Sequence, residues 1–265
     1  MHWRCVRPLF WLALLAVLAG CGETPTGRSQ LALVPGPLMA DMGGDAFDQL
    51  RNTQPISRDA QANRLVQCVA EKVVAGAKAS YPGLEFPERW EVVLFEDPSP
   101  NAFALPGGRI GVHTGLLQVA ETPAQLAAVM GHEVAHVLAD HGNERLTQQL
   151  GIKAVLLVVG LLGEGEFGSQ QLMQALGVGA QLGISLPFSR THEEEADLMG
   201  LEIMARAGFD PQQSVALWRN MAAHGGSQPP ELLSTHPAHK SRIDALQQGL
   251  EEVTATYRTV TPAAC

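Results

Sequence analysis

The sequence predicts an α+β fold, mostly α, in which a small antiparallel β-sheet lies beside one central helix. Three observations predict it. Apolar residues recur at helical spacing from about 37 to 80 and again from 122 to about 150. Two strand-like runs, at 90–97 and 101–113, lie between those stretches. No strand–helix–strand series follows, so a doubly wound parallel sheet is excluded. The 265 residues, 46% of them hydrophobic, suit one globular domain of ordinary core size.

The first twenty residues stand apart from that domain. "MHWRCVRPLFWLALLAVLAGC" has Arg4 and Arg7 in a basic start and an apolar run from Leu9 to Leu18 that is too short to span a bilayer. Leu18-Ala19-Gly20-Cys21 resembles the bacterial lipobox, which implies removal of 1–20 and lipidation of Cys21. Gly22 in the next position favours an outer-membrane anchor. Residues 21–36, polar and turn-rich, read as a lipidated tether. Losing Arg4 and Arg7 takes the formal charge from −9 to −11, with 27 acidic residues against 16 basic ones. An acidic chain without a basic run excludes nucleic acid as a partner. Cys68 and Cys265 are then left either as a disulfide, which an oxidising compartment permits, or as two unpaired thiols.

The body of the chain is expected over 37–253, followed by a tail at 254–265. In "AQANRLVQCVAEKVVAGAKAS" Leu65, Val66, Val69, Val73 and Val74 form a helical core stripe. "WEVVLFED" and "NAFALPGGRIGVH" follow with strand character, the second turning at Pro106-Gly107-Gly108. Thr122-Pro123-Ala124-Gln125 marks a helix start with a capping hydroxyl and a proline in the first turn, and that helix is expected to continue to about 150. Residues 151–187 are glycine-rich and apolar but interrupted by Glu164 and Glu166; they read as a helical excursion over the site or near the membrane. Further helices are expected over 190–207, ending at Gly208, from Asp210-Pro211 to His224, and from the polar loop "STHPAHKSR" to near Val253.

Chemistry concentrates in "AVMGHEVAHVLADHGNER". His132 and His136 lie four residues apart, slightly more than one helical turn, so both imidazoles project from one face and can share one small cation. Zinc suits two neutral histidines, and Glu133 can take a proton from water beside it. A catalytic zinc takes a third protein ligand. His141 is out of register for it, because a continuing helix turns it away; it is read as a hydrogen-bonded structural residue, with Glu144 likewise outside the ligand set. The stronger candidate lies 57 residues past His136. Glu193, Asp197, Gly200 and Met204 share one stripe of a helix face that must be buried. Buried carboxylates need partners, and a metal with histidine ligands supplies them. Glu193 is thus the expected third ligand, and Asp197 the acceptor for a ligand histidine's other N–H. Glu194 and Glu195 read as a solvated helix start, favoured by the helix dipole.

Together, H-E-x-x-H and the downstream S-R-x-x-E-x-E-A-D-x-x-G resemble the gluzincin zinc endopeptidases of the HtpX and CAAX-prenyl-protease type. The lipobox, "TGRSQLALV" and the lack of spanning helices are closest to the LoiP/BepA-like periplasmic lipoprotein branch, without its repeat domain. The resemblance covers nearly all of 24–250. It implies a zincin-like helical metalloprotease core, one zinc per chain on His132, His136 and Glu193, and Glu133 as general base. It also implies that the strand Asn101, Ala102, Phe103, Ala104 binds substrate along its edge, whose neighbouring glycines permit close backbone approach. In "STHPAHKSRI" it brings His236 near the zinc, either closing the open position or stabilising an oxyanion, while His239 is expected to be exposed. The function expected is a membrane-anchored zinc metalloendopeptidase facing the periplasm. Its substrates would be unfolded or misassembled envelope proteins. The alternative is a tethered chaperone-like or binding protein whose zinc is structural or whose site is capped.

Overall fold

The computed structural model describes residues 21–149, 151, 188–224, 232, 236 and 240–265. The leader at 1–20, the excursion at 152–187 and His239 lie outside the described residues. The described chain runs β1 (Cys21–Glu23), β2 (Ser29–Leu31), α1 (Gly36–Thr53), α2 (Ala60–Ser80), β3 (Glu91–Phe95), β4 (Ala102–Leu105), β5 (Arg109–His113), a short α3 (Leu116–Val119), α4 (Pro123–Leu138), α5 (Arg190–Arg206), α6 (Gln212–His224) and α7 (Lys240–Tyr257). A further helical stretch covers 141–149. The mostly helical α+β class read from the sequence is the class observed. None of the described helices is long and apolar enough to cross a membrane.

The small sheet differs from expectation in one pairing. Its order is β3–β5–β4, with β4 and β5 antiparallel and β3 parallel to β5, so the sheet is mixed. The tight turn at Gly107 and Gly108, both at positive φ, reverses β4 into β5. The chain between β3 and β4 crosses over instead of forming a second hairpin, which leaves β4 at the edge facing α4. Phe47 of α1 meets Phe95 and Phe103 edge-on beneath this sheet, with ring centroids 6.1 and 6.4 Å away.

Helix formation follows the local signals. Asp59 caps α2 by accepting from the N–H groups of Gln61 and Ala62, and Thr122 caps α4 by accepting from Gln125 N. Val66, Val69 and Val73 are fully buried, whereas Leu65 and Val74 at the margins of the stripe are half-buried. The largest departure is at the end of α4. The helix stops at Leu138, and Asp140 takes a left-handed conformation at φ 54° before the chain resumes helical form at 141. Aspartate tolerates that conformation better than most residues, so the break needs no glycine.

Residues 21–31, expected as a tether, instead form a hairpin. Cys21 pairs with Leu31 and Glu23 with Ser29, and Thr24 N donates to Arg28 O across the turn. The last helix extends to Tyr257, a turn past the expected end, and the remaining tail is held where Ala263 N donates to Gly208 O. Cys265 is bridged to Cys68 of α2 across 197 residues, which resolves the open cysteine question in favour of a disulfide.

Helices α4 and α5 cross at Gly131 and Gly200. A Cβ on Gly200 would lie 3.0 Å from His132 N and 3.2 Å from its Cα. Close backbone approach therefore fixes how far the Glu193 carboxylate stands from the imidazoles. Replacing Gly200 by Ala should destabilise the fold by about 2 kcal/mol through overpacking, read as a lowered chemical-denaturation midpoint, and should weaken metal binding in parallel. Reducing the Cys68–Cys265 bridge, or replacing both cysteines by serine, should lower stability by about 4 kcal/mol, the scale for freeing so long a loop. Two free thiols in unreduced, denatured protein would contradict the bridge.

Candidate metal centre

Two helices crossing at glycines bring together side chains that are distant in sequence. From α4, His132 and His136 point at Glu193 of α5, and His236 closes the group from the other side; all four residues are buried. His136 Nε2 lies 3.0 Å from His132 Nε2, and His132 Nε2 lies 3.2 Å from His236 Nδ1. Glu193 Oε1 is 2.9 Å from His236 Nδ1 and 3.5 Å from His136 Nε2, while its Oε2 is 3.4 Å from His132 Nε2. The four ligand-type atoms fall within 4.8 Å of one another. Ligands on a tetrahedral zinc at about 2.0–2.1 Å stand about 3.4 Å apart, so the spacing fits that ion. Its chemistry fits as well, because facing imidazole nitrogens cannot all be satisfied by the protons between them.

Electrostatics give the same answer. Burial disfavours a charged Glu193, but the surrounding His236, His132 and His136 outweigh it and hold the carboxyl far below the usual range. Burial favours neutral His132, yet Asp197 and Glu193 overcome it and push the ring up to about 9. Burial keeps His136 well below its ordinary value, the neutral form a metal needs. The negative charge of the Glu193–Asp197 pair therefore demands counter-charge at this point, which a dication supplies.

Outside the ligand group, each expected residue has a definite place. Glu133, buried one position after His132, has burial raising its carboxyl, opposed by His236 and His132. Its Oε1 makes no hydrogen bond and lies 3.3 Å from His236 Nε2, an orphaned oxygen suited to accepting a proton. Asp197 Oδ1 is 3.0 Å from His132 Nδ1, the position read from the sequence. Asn101, Ala102, Phe103 and Ala104 form the start and body of β4, the edge strand beside α4; Asn101 Oδ1 is buried without a partner. His132 and His236 also wall an apolar pocket with Leu201, Met204, Trp218 and Met221.

Several participants went unrecognised in the sequence. Arg242 on α7, buried with 1% exposure, forks onto Asp197 at 2.6 and 2.7 Å and reaches Glu193 Oε2 at 2.7 Å. It closes the H-P-x-x-x-x-R segment that begins at His236, but that pattern alone says nothing of where the guanidinium goes. Phe188 stacks on His136, its centroid 4.0 Å away, and carries Arg145 on its ring at 3.9 Å. Glu195, expected in solvent, is 7% exposed and held low against burial chiefly by His141, Thr24, Thr26 and Arg28. Because the helix breaks at Asp140, His141 swings back, and its Nδ1 meets His136 Nδ1 at 2.9 Å. It is not in the ligand group; it stands directly behind a member of it.

Known proteins resemble the chain over this same region. It is 33% identical to the mitochondrial metalloendopeptidase OMA1 of Arabidopsis thaliana over 245 residues, 92% of this chain and 46% of the relative. It is 39% identical to the OMA1 of Schizosaccharomyces pombe over 173 residues, 64% and 50% of the two chains. It is 31% identical to the beta-barrel assembly-enhancing protease of Escherichia coli over 209 residues, 76% and 42%. The chain thus spans about half the length of these relatives. The model of peptidase family M48 matches residues 60–249, a span that holds both the α4 histidines and Glu193. With the match extending over most of its length and its metal-type cluster inside the matched span, the chain belongs to peptidase family M48, whose cofactor is zinc.

Proposed function

We propose that the protein is a membrane-anchored, zinc-dependent metalloendopeptidase working in cell-envelope protein quality control. The observation that carries this reading is the juxtaposition of the His132–His136–Glu193 cluster with the buried, unpartnered Glu133 Oε1. His132, His136 and Glu193 hold zinc, which supplies Lewis acidity to polarise the scissile carbonyl and acidify the attacking water. Glu133 takes the proton from that water and later delivers it to the leaving amine; its buried setting and raised carboxyl suit both transfers. Asp197, clamped by Arg242, fixes the orientation of His132. A substrate backbone adds alongside the edge strand β4, where Asn101 Oδ1 offers an acceptor.

The cellular setting rests on the leader. Its lipobox-like end supports anchoring through lipidated Cys21 at the periplasmic side of the outer membrane, with unfolded or misassembled envelope proteins as substrates. The name of the Escherichia coli relative, a barrel-assembly-enhancing protease, fits that setting, whereas the OMA1 relatives are named as mitochondrial.

One observation favours a second reading. His236 Nδ1 stands among the ligand atoms, and a zinc with four protein ligands is closed to water, as structural zinc sites are. The protein would then be a tethered binding or chaperone-like module, or a protease whose resting state is capped by His236.

Replacing Glu133 by Gln should abolish peptide cleavage, a fall of about 10³-fold or more, while one zinc per chain remains bound by elemental analysis. Retained cleavage in clean protein would refute the assignment. Removing the imidazole with His236→Ala separates the readings further. A severalfold rise in the cleavage of an unfolded substrate identifies a cap, and a loss of kcat with unchanged KM identifies a group that stabilises the oxyanion. Zinc-replete protein that binds substrate and cuts nothing in either form would support the binding module.

A further inference from the structure

The mechanism above makes no use of the hairpin at 21–31, yet the hairpin's turn reaches the back of the metal centre. We propose that Arg28, carried on this hairpin, is a positioning residue for the metal: through Glu195 and His141 it orients His136 from behind. The inference rests on the zinc reading above and deepens it.

The connection is continuous and each hydrogen bond in it has one direction. His136 turns Nε2 toward the cluster, so its ring proton sits on Nδ1 and is donated to His141 Nδ1 at 2.9 Å. His141, accepting there, carries its own proton on Nε2 and donates it to Glu195 Oε2 at 3.1 Å. Glu195 only accepts: Arg28 Nε donates to the same Oε2 at 2.6 Å, and Thr26 Oγ1 donates to Oε1. An arginine cannot give up its proton in a protein, so the direction of the chain is fixed at its far end. The other terminal nitrogens of Arg28 fork onto Glu144, at 3.1 and 2.8 Å, and Glu144 in turn meets His192 Nε2 at 3.1 Å. His192 stacks on His141 with centroids 4.5 Å apart, so the relay ring is held in plane as well as hydrogen-bonded.

The same logic operates on the other α4 histidine. His132 backs onto Asp197, and Asp197 is gripped by the Arg242 fork. Each of these two imidazoles is therefore backed by a carboxylate held by an arginine, with one additional histidine inserted on the His136 side. Groups that orient a ligand in this way set metal affinity as well as activity. The hairpin is also held to the stretch that bears His141: Leu33 N donates to Thr147 Oγ1 at 2.9 Å, and Asn143 exchanges hydrogen bonds with the Val34 backbone at 2.7 and 3.1 Å.

The test measures zinc affinity of the full chain by competition with a chromophoric chelator, alongside the thermal midpoint of the metal-free protein. Arg28→Ala should weaken zinc binding by about 10- to 100-fold, the range for losing a ligand's supporting partner. Arg206→Ala, which removes an equal charge from an exposed pair with Glu202, should leave affinity unchanged. In His141→Phe, where the relay is already cut, adding Arg28→Ala should cost less than twofold more. If Arg28→Ala does not fold, Arg28→Lys and Thr26→Val carry the same test with smaller losses. Affinity within twofold of wild type in these variants, additive losses in the double variant, or an equal loss in Arg206→Ala would each overturn the proposal. Wild-type protein that takes up no zinc would overturn both this proposal and the reading on which it rests.

Discussion

Two carboxylates, Glu193 and Asp197, are buried one helical turn apart on α5, and the rest of the architecture answers to their charge. Burying an unpaired carboxylate is prohibitive, so every element around α5 contributes a compensating group. Helix α4 brings two imidazoles, α7 brings the Arg242 fork, His236 approaches from the loop ahead of α7, and a dication completes the balance. The pairing works only because α4 and α5 touch backbone to backbone at Gly131 and Gly200. A side chain at that crossing would move the carboxylate away from the nitrogens it must meet. The sheet plays a different part: it places β4 beside α4 with one edge unpaired, so chemistry and a surface for a peptide backbone lie next to each other.

How much of this was legible in the sequence depended on whether the information was periodic. His132, Glu133 and His136 were readable because the helical repeat alone puts them on one face, and Glu193 and Asp197 because their stripe had to be buried. The helix caps at Thr122 and Ser189 were readable for a similar local reason. His141 was misplaced because periodicity was extended through Asp140, whose left-handed backbone resets the register of everything after it. The signal was present but weak: an aspartate is one of the few residues that takes this conformation readily, and Gly142 follows shortly. Glu195 was assigned to solvent because a run of three glutamates usually belongs there, and only a partner 167 residues earlier contradicts that. Short polar segments such as 21–31 look like linkers until a tertiary partner is known. The parallel pairing of β3 with β5 was hidden for the same reason, since neighbouring strands in sequence suggest a meander.

The two arginine-backed histidines are not equivalent, and the difference follows from where each arginine sits. Arg242 belongs to a long helix, is 1% exposed and lies over the Trp218 ring at 4.2 Å, so His132 is held by groups that move only with the core. Arg28 belongs to a hairpin with only three residue pairs, and its side chain retains 24% of its exposure. Short, partly exposed elements open at lower free energy than core helices. Of the two histidines, His136 is therefore the one whose support can be withdrawn without disturbing the α4–α5 crossing. The hairpin that supplies this support also begins at Cys21, the residue whose sequence context implies lipidation. A force or contact acting on that end of the chain would reach the centre through Arg28 before it reached any ligand directly, because the hairpin, Glu195 and His141 form an unbroken hydrogen-bonded path to His136. The geometry thus divides the centre into a fixed half, set by the core, and a half whose order depends on how the N-terminal hairpin is docked.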